Sequence, residues 1–174
     1  NQIFKHLNNN KIGRIIYCGA GTSARIGVQD GSELYPTFGW PYNRLDFIIA
    51  GGNTALLRAA EEAEDNINEA LSKVKDMNIN HSDVVIGLAA SGNTPFTCGV
   101  LEAARSRGAL TIGISNNKNG LLNKISESLI LLNTGPEVVT GSTRLKAGTA
   151  QKICLNIIST GLMIKMGRVK NGMM

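Results

Sequence analysis

The sequence has few charged residues and very few aromatic ones. Asp, Glu, Lys and Arg make up 18% of the 174 residues, and aromatic residues 5%; soluble domains typically contain about 25% charged residues. Hydrophobic residues nevertheless account for 43%. This excludes an intrinsically disordered chain, because such chains are rich in charge and poor in apolar residues. The length suits one domain with a sizeable core, so we expect residues 1–174 to form a single domain.

Long hydrophobic runs are missing as well. The most apolar stretch, Ile153–Ile164, is interrupted by polar or small residues at positions 156 and 159–161, whereas a membrane helix needs about 18 consecutive apolar residues. The first residues, NQIFKHLNNNK, contain no apolar core of a signal peptide. The sequence therefore predicts no membrane association and a cytoplasmic location.

Signals for metals, nucleotides and nucleic acids are weak. The two His and three Cys do not follow the spacing of a zinc site. Residues Gly19–Ala24 fit the dinucleotide fingerprint loosely, but the second apolar run ends in IIAGG, without the acidic residue that holds a ribose. The net charge of +5 comes from scattered Lys and Arg rather than from a basic cluster with interleaved aromatics. We expect no metal, no cofactor and no nucleic-acid partner.

What the chain does contain is a series of short runs rich in Val, Ile and Leu, which alternate with helical patterns. Nearly continuous apolar runs are typical of parallel strands covered on both faces. Short connections between alternating strands and helices indicate right-handed βαβ units. We therefore predict an α/β fold, a three-layer, doubly wound, five-stranded parallel sheet of flavodoxin-like type with helices on both faces. The predicted strands are Arg14–Cys18, Leu45–Ala50, Asp83–Leu88, Leu110–Ser115 and Ser128–Leu132.

The helical patterns lie between these runs. Residues Leu34–Arg44 hold the only Trp and two of the four Pro, and we predict a rigid loop there. In the last helix, apolar and small residues at i, i+3, i+4 spacing predict the face that packs on the sheet. That face comprises Ala150, Ile153, Cys154, Ile157, Ile158, Gly161 and Leu162. The predicted helices are Ser23–Glu33, Thr54–Met77 with a break near Asp65, Thr94–Arg107, Gly120–Ile125 and Leu145–Lys165.

Three loops that follow strands are rich in Gly, Ser and Thr: GAGTSAR, AASGNTP and TGSTRLK. Ligands of doubly wound sheets bind at the carboxyl ends of strands, and hydroxyls together with free N–H groups at a helix N-terminus bind phosphate. One such loop alone would be interpreted as simple helix capping. Three at one sheet edge predict a phosphomonoester site. Its candidate residues are Gly21, Thr22, Ser23, Ser91, Gly92, Asn93, Thr94, Ser142, Thr143 and Lys146.

These loops, GAGTSAR, AASGNTPF and GPEVVTGSTRLKAGTAQK, resemble the phosphosugar-binding loops of the sugar isomerase (SIS) domain superfamily. Within it, QDGSELYPTFGW, IIAGG, EEAEDN and LNIISTGLMIKMGRV closely resemble the N-acetylmuramic acid 6-phosphate etherase family, from about Gly13 to about Val169. The resemblance implies a SIS-type fold, a phosphorylated amino sugar as ligand, a homodimer, and a longer chain whose flanking helical segments are absent here. Two positions depart from the family: Ala24, where Gly is usual, and Asn93, where Arg is frequent.

The resemblance also implies a reaction. The ether between C3 of N-acetylmuramic acid 6-phosphate and D-lactate is cleaved by elimination and hydration, giving N-acetylglucosamine 6-phosphate. By motif match, Glu33 resembles the acid that protonates lactate, and Glu64 the base that takes the C2 proton. Without the resemblance, both would be interpreted as exposed helix residues. Arg144 and Lys146 are candidates for holding an anionic group, and Glu137 for capping or orienting the site.

Two other functions fit the same loops. A non-catalytic sugar-phosphate sensor, similar to the glucokinase regulatory protein, needs the hydroxyl-rich loops but neither Glu33 nor Glu64, and this chain has both. An aldose–ketose isomerase on the same fold is disfavoured by the stretches YPTFGW and IIAGG, which resemble the etherases. The etherase is therefore the leading hypothesis and the sensor its alternative.

Overall fold

One parallel sheet organises the chain. In this computed structural model, residues 1–58 and 60–174 are described, Glu61 by its backbone alone. All strand pairs are parallel, and the order is β2-β1-β3-β4-β5, which is the flavodoxin-like order. The predicted doubly wound fold is confirmed. The strands are β1 Ile15–Gly19, β2 Leu45–Ile49, β3 Val84–Ala89, β4 Leu110–Ser115 and β5 Ser128–Leu131.

Helices cover both faces of the sheet. Helices α1, α2 and α7 pack on one face, and α4, α5 and α6 on the other. Among the described residues, no helix is both long and apolar enough to cross a membrane. The helices are α1 Gln2–Asn9, α2 Gly21–Ser32, α3 Leu34–Phe38, α4 Ile67–Asp76, α5 Pro95–Ser106, α6 Leu122–Ile125 and α7 Lys146–Lys165, with 3-10 turns at Tyr42–Arg44, Asn53–Leu56 and Glu61–Asp65.

The two cores on either side of the sheet share the same strands. Along β1, Ile16 and Cys18 face the α4–α5 layer, whereas Ile15 and Tyr17 face α7. All five residues of β1 are buried, as are all six of β3. Such central strands have no polar face, which explains why the apolar runs predicted them to within one residue.

Two predicted elements differ from the structure. The predicted break near Asp65 in the helix Thr54–Met77 is confirmed, but the predicted helix before the break is wrong, because only the second part is α-helical. Asn66 Oδ1 accepts a hydrogen bond from Glu69 N at 3.0 Å, and this N-cap starts α4 at Ile67. The preceding residues form two 3-10 turns, and Ala59, within the predicted span, lies outside the described residues.

The segment Leu34–Arg44, predicted as a loop, contains α3 and a 3-10 turn. The side chain of Trp40 holds the segment in place. It is 1% exposed, and its Nε1 donates to the carbonyl of Arg44 at 2.9 Å. The guanidinium groups of Arg44 and Arg168 lie 4.4 and 5.2 Å from its ring centroid. The expectation of rigidity is consistent with this packing, but the expected lack of helix was wrong.

The buried face of α7 also differs from the predicted one. Ile153 and Ile157 are 53% and 68% exposed. The polar side chains of Gln151 and Ser159 are buried instead. The apolar spacing identified a real stripe, but Ile153 and Ile157 within it are more than half exposed. The face that packs inward is Ala147, Gly148, Gln151, Leu155, Ser159, Leu162 and Met163.

An ion pair joins the starts of the central strands. Asp83, just before β3, accepts hydrogen bonds from Arg14 N, Nε and NH2 at 2.9–3.1 Å and from Asn80 N at 3.1 Å. Burial alone would raise the pKa of Asp83, but these hydrogen bonds and the Arg14 charge outweigh it and lower that pKa. The ionised carboxylate is therefore stabilised by folding. Its contribution to the free energy of unfolding is complete above the unfolded-state pKa of about 3.9. That contribution is lost as the pH falls through the folded-state pKa.

We predict that Asp83→Asn lowers the free energy of unfolding at pH 7 by about 3–5 kcal/mol, since Arg14 loses its buried partner. The loss should begin to shrink below about pH 4, because the Asp83 carboxylate of the unfolded wild-type chain then takes up protons while the folded one still holds its charge. Asp46→Asn is the matched control, because Asp46 pairs with the same guanidinium at 3.4 Å but its side chain is 42% exposed; its loss should stay below about 1 kcal/mol. Urea unfolding at pH 7 and pH 3 measures the loss of unfolding free energy in both variants. An equal loss for Asp83→Asn at the two pH values would contradict the linkage.

Candidate functional site

The loop between β1 and α2 makes a tight turn at the carboxyl edge of the sheet. A β-carbon on Gly19 would lie 3.1 Å from Ala24 N and from Leu88 O, and Gly21 has φ +53°. Ala24, where the resembling family has Gly, is 5% exposed and packs with Ile49 and Ala55. The extra methyl group is accommodated in this small apolar cluster. Thr22 and Ser23 therefore lie at the start of α2 with their side chains half-buried.

The loop between β3 and α5 is joined to the loop that follows β4. Gly92 has φ +70°, and its β-carbon would lie 2.9 Å from the Cα of Gly120. Asn117 Nδ2 donates to the carbonyl of Ser91 at 3.0 Å, and Asn93 Oδ1 accepts from Leu121 N at 2.8 Å. Asn93 therefore acts as a support of the loop, at a position where the family frequently has a cation.

Ser91 and Thr94 complete this second loop. Ser91 Oγ accepts from Asn93 N at 3.2 Å, so its hydroxyl proton is available to another acceptor. Thr94 is the N-cap residue of α5, but its side chain makes no capping bond. The helix α2 also lacks a side-chain cap at Ala20. Helices α2 and α5 thus both begin at this edge without a side-chain cap, an arrangement that can bind anions.

The third loop differs from the other two, because its helix is already capped. Glu137 Oε2 accepts from Lys146 N at 3.1 Å, and Glu137 Oε1 accepts from Ala147 N at 2.8 Å. The capping role expected of Glu137 is therefore observed. Lys146 Nζ donates to the carbonyl of Pro136 at 2.6 Å. Arg144 is exposed. The N-terminus of α7 is already occupied by a carboxylate, whereas those of α2 and α5 have no side-chain cap.

Ser142 and Thr143 belong to the same third loop. Ser142 N donates to the carbonyl of Val139 at 2.9 Å, and the carbonyl of Thr143 accepts from Gly148 N at 2.9 Å. Ser142 is half-buried and Thr143 exposed. Their backbone groups shape the turn before α7. The three loops predicted from the sequence thus lie at one edge, although only the first two begin uncapped helices.

The two candidate carboxylates lie at opposite edges of the sheet. Glu64 belongs to the second 3-10 turn after β2, Glu61–Asp65. This turn contacts α5 at the edge where the hydroxyl-rich loops lie. Glu33 follows the last residue of α2. Since α2 starts at that edge and has 12 residues, its end lies ~18 Å further along at about 1.5 Å per residue.

The neighbours of Glu33 locate the far edge independently. In the segment that follows Glu33, Trp40 Nε1 donates to the carbonyl of Arg44. Arg44 Nε in turn donates to the carbonyl of Gly13, just before β1. Gly13 and Arg44 lie at the amino ends of β1 and β2. Both Glu33 and Glu64 are exposed. One chain therefore brings Glu64 to the loops but not Glu33.

Cysteine thiols near the loops are not candidates for nucleophilic catalysis. Cys18 precedes the first loop and Cys98 lies in the first turn of α5; both are buried. Burial raises the pKa of Cys98 to about 11, with a smaller contribution from Glu102, and burial also raises the pKa of Cys18. Both thiols are protonated at neutral pH. Over the described residues, no group of three or more His, Cys, Asp or Glu side chains could hold a metal ion.

Two polar residues in this region were missed by the sequence analysis. Gln151 in α7 accepts from Ser23 Oγ at 2.9 Å and donates from Nε2 to Asn116 Oδ1 at 3.2 Å. The sequence offered one signal for Gln151, because it lies at i+4 spacing between Ala147 and Leu155 on the buried face. Asn116 offered only its position after a strand.

Comparison with known proteins agrees with this architecture. Residues 57–159 match the SIS domain, and residues 1–105 match the glucokinase regulatory protein N-terminal SIS domain. Each match covers more than half of the chain. The chain belongs to the SIS domain family. Among solved structures, a protein of Escherichia coli CFT073 has a TM-score of 0.71 at 16% identity, covering 98% of this chain and 79% of that one. The NanR protein of Vibrio vulnificus, complexed with ManNAc-6P, has a TM-score of 0.64 at 15% identity, with 97% and 56% covered.

Curated relatives of this SIS domain are much closer in sequence. N-acetylmuramic acid 6-phosphate etherase of Psychromonas ingrahamii is 49% identical over 94% of this chain, and that of Clostridium acetobutylicum 51% identical over 99%. The enzyme of the same name from Oceanobacillus iheyensis is 52% identical over 93%. The chain spans about half the length of these relatives, 55%, 56% and 55% respectively.

The capping carboxylate of α7 yields a prediction for this SIS domain. Glu137→Gln removes the charge that complements the helix dipole and one of two acceptors, so the free energy of unfolding should fall by about 1 kcal/mol. Glu127→Gln is the control, since Glu127 is exposed and precedes β5 rather than a helix. It should change stability by less than about 0.5 kcal/mol. Equal urea midpoints for Glu137→Gln and the wild type would show that the cap contributes nothing.

Proposed function

We propose that this SIS domain is the phosphosugar-binding core of an N-acetylmuramic acid 6-phosphate etherase, a carbon–oxygen lyase acting in the cytoplasm of a bacterium that recycles cell-wall sugar. The observation that carries the proposal is the identity of about 50% with relatives of that name over nearly the whole chain. The same relatives favour the etherase over the sensor. The products would be N-acetylglucosamine 6-phosphate and D-lactate, and the reaction requires no cofactor or metal.

Phosphate binding is assigned to the first two loops. The uncapped N-termini of α2 and α5 direct their positive dipole ends toward the same edge. Thr22, Ser91 and Thr94 add hydroxyls there, while Gly21 and Gly92 let the backbone approach closely because they lack side chains. The third loop, with Ser142, Thr143 and Lys146, closes the edge on the side of α7. A site of this kind holds a phosphomonoester by N–H and hydroxyl donors rather than by a cationic clamp.

The chemistry is an elimination followed by hydration. In the open-chain form, the aldehyde at C1 makes the C2 proton acidic. Glu64 takes that proton first and leaves an enolate. The C3–O bond then breaks, and Glu33 gives a proton to the departing lactate oxygen. A C2–C3 double bond results. Water then adds its hydroxyl to C3, and a proton returns to C2, so that atoms balance overall with one water consumed. Two carboxylates with separate roles, one as base and one as acid, suit this order of reaction steps.

Glu33 must then come from a second copy of the chain. The distance between the end of α2 and the loops is too great for a single sugar phosphate to span. A two-fold axis perpendicular to α7 would reverse the second copy and bring its Glu33 to the loop edge of the first. The exposed residues Ile153, Ile157 and Ile164 of α7, each more than half exposed, support such contact. The homodimer implied by the family would thus complete two sites.

Removal of the Ser91 hydroxyl tests the phosphate assignment. Ser91→Ala loses a hydrogen bond to a charged oxygen, and also the acceptor of Asn93 N. Affinity for N-acetylglucosamine 6-phosphate should fall about tenfold to a hundredfold. Ser106→Ala is the matched control, because Ser106 ends α5 at the opposite edge, where its Oγ donates to the carbonyl of Ala103. Calorimetric titration measures the affinity of both variants for this ligand. An unchanged affinity in Ser91→Ala would refute the role of Ser91 in phosphate binding.

Substitution of the two glutamates tests the chemistry in deuterated solvent. Glu33→Gln should lose lactate release yet still exchange the C2 proton of the substrate, since Glu64 remains as base. Glu64→Gln should lose both. Each loss should amount to ~10²–10⁴-fold. Lactate is assayed enzymatically and exchange by NMR. The acid and base assignments would be reversed if exchange survived only in Glu64→Gln, and the etherase proposal fails if both variants release lactate at the wild-type rate.

A further inference from the structure

Gly51 lies between two parts of the candidate site. The residue before it, Ala50, follows β2, and its backbone N donates to the carbonyl of Gly19 in the loop between β1 and α2 at 3.1 Å. After Gly51 the chain forms the two 3-10 turns Asn53–Leu56 and Glu61–Asp65, the second of which carries Glu64. The packing around Gly51 therefore decides how the turn with Glu64 lies relative to the first loop.

No side chain fits at Gly51. A β-carbon there would lie 2.9 Å from the Cβ of Ala60, 3.2 Å from that of Ala63 and 3.3 Å from that of Ala55. Carbon atoms in favourable contact are about 3.5–4.0 Å apart, so the shortest of these distances is a clash. Each alanine Cβ is fixed to its own backbone and cannot rotate away, as the end of a long side chain could. A methyl group at position 51 would therefore displace backbone.

The second turn is the part that would move. The first turn is tied to α2, because Arg25 donates from Nη2 to the carbonyl of Ala55 at 2.9 Å and from Nε to the carbonyl of Leu56 at 3.0 Å. The two shorter contacts are both with the second turn, since Ala60 directly precedes it and Ala63 lies within it. The displacement would thus fall on the backbone next to Glu64.

We propose that Gly51 is a positioning residue for Glu64: its lack of a side chain lets the turn Glu61–Asp65 lie close to the end of β2, which fixes the distance from Glu64 to the loop between β1 and α2. The role of Glu64 as base rests on the proposed function, whereas the close packing at Gly51 does not. Misplacement of a reacting group by about 1 Å can cost ~100-fold in rate. Gly51 thus acts on removal of the C2 proton through Glu64, without touching the ligand.

Gly51→Ala and Gly52→Ala separate this packing from backbone strain. Both glycines have positive φ, +74° and +67°, so alanine is strained at either position. Among the described residues, however, a β-carbon at Gly52 would meet no atom within 4 Å. With N-acetylmuramic acid 6-phosphate in deuterated solvent, Gly51→Ala should slow C2 exchange and lactate release about 10- to 100-fold. Gly52→Ala should lower the stability but slow both by less than about threefold.

A binding measurement shows whether the loss is confined to the chemistry. Affinity for N-acetylglucosamine 6-phosphate, measured by calorimetric titration, should change by less than about twofold in both variants. The reason is that the proposed displacement affects the turn with Glu64 and not the loops that follow β1 and β3. A merely structural role of Gly51 would instead weaken binding and exchange together.

Removal of the opposing methyl groups tests the contact itself. Ala60→Gly and Ala63→Gly remove the two nearest β-carbons. Added to Gly51→Ala, they should restore exchange to within about threefold of the double variant Ala60→Gly/Ala63→Gly, which controls for loosening of the turn. If Gly51→Ala alone does not fold, folding of the triple variant would support the same contact.

The outcomes separate the positioning role from the proposed function. Equal slowing of exchange by Gly51→Ala and Gly52→Ala, or no rescue in the triple variant, would overturn the proposal, since backbone strain would then be the cause. If the wild type shows neither exchange nor lactate release, the proposed function fails, and the packing is judged by urea unfolding. A smaller loss of stability for Gly51→Ala in the Ala60→Gly/Ala63→Gly background than in the wild type would support the contact. Equal losses would overturn it.

Discussion

The constraint on which the rest of the structure depends is the parallel direction of all five strands. Every strand then ends at one edge, and every helix that follows a strand begins there. Three hydroxyl-rich loops far apart in the sequence are brought together by this geometry. The positive ends of α2 and α5 point to the same edge, an arrangement that can bind phosphate without a cluster of cations. The low share of charged residues, 18%, is compatible with such a site.

The same constraint keeps the end of α2 away from that edge. Helix α2 leaves the loop edge and returns the chain to the start of β2, so Glu33 and Trp40 belong to the amino edge. The buried carboxylate of Asp30 fixes this helix against α7 and β1, since it accepts from Tyr17 OH, Asn156 Nδ2 and Ser159 Oγ at 2.8–3.0 Å. A rearrangement that brought Glu33 to its own loops would break these bonds. This rigidity supports the proposal that Glu33 comes from a second copy.

Much of the fold was predictable from the sequence, and the failures have physical causes. The runs of Val, Ile and Leu predicted β1 and β3 because central parallel strands are buried on both faces. The break before α4 was predicted near Asp65, and the cap of Asn66 on Glu69 N starts the helix there, but the residues before the break form 3-10 turns and not the predicted helix. Helix α3 was missed because its short turn is held by Trp40 and by distant Arg168, a tertiary contact that local sequence does not contain.

The residues of the candidate site also divide into those that the sequence predicted and those that it did not. Loop residues such as Ser91 were predictable because they directly follow strands. The bridge from Gln151 to Asn116 was not, since it joins residues 35 positions apart whose contact depends on how α7 lies over the sheet. The orientation of α7 also decided which of its apolar residues face outward. Apolar spacing alone cannot distinguish apolar residues that pack on the sheet from apolar residues that stay exposed.

The most direct test of the shared site is to mix Glu33→Gln and Glu64→Gln subunits after each has been shown to be inactive alone. With the glutamates contributed by different copies, half of the randomly mixed dimers are mixed, and one of the two sites in each has both glutamates. Lactate release should therefore recover to about a quarter of the wild-type rate. Absence of any recovery, although subunit exchange is complete, would mean that both glutamates act within one chain and would contradict the account.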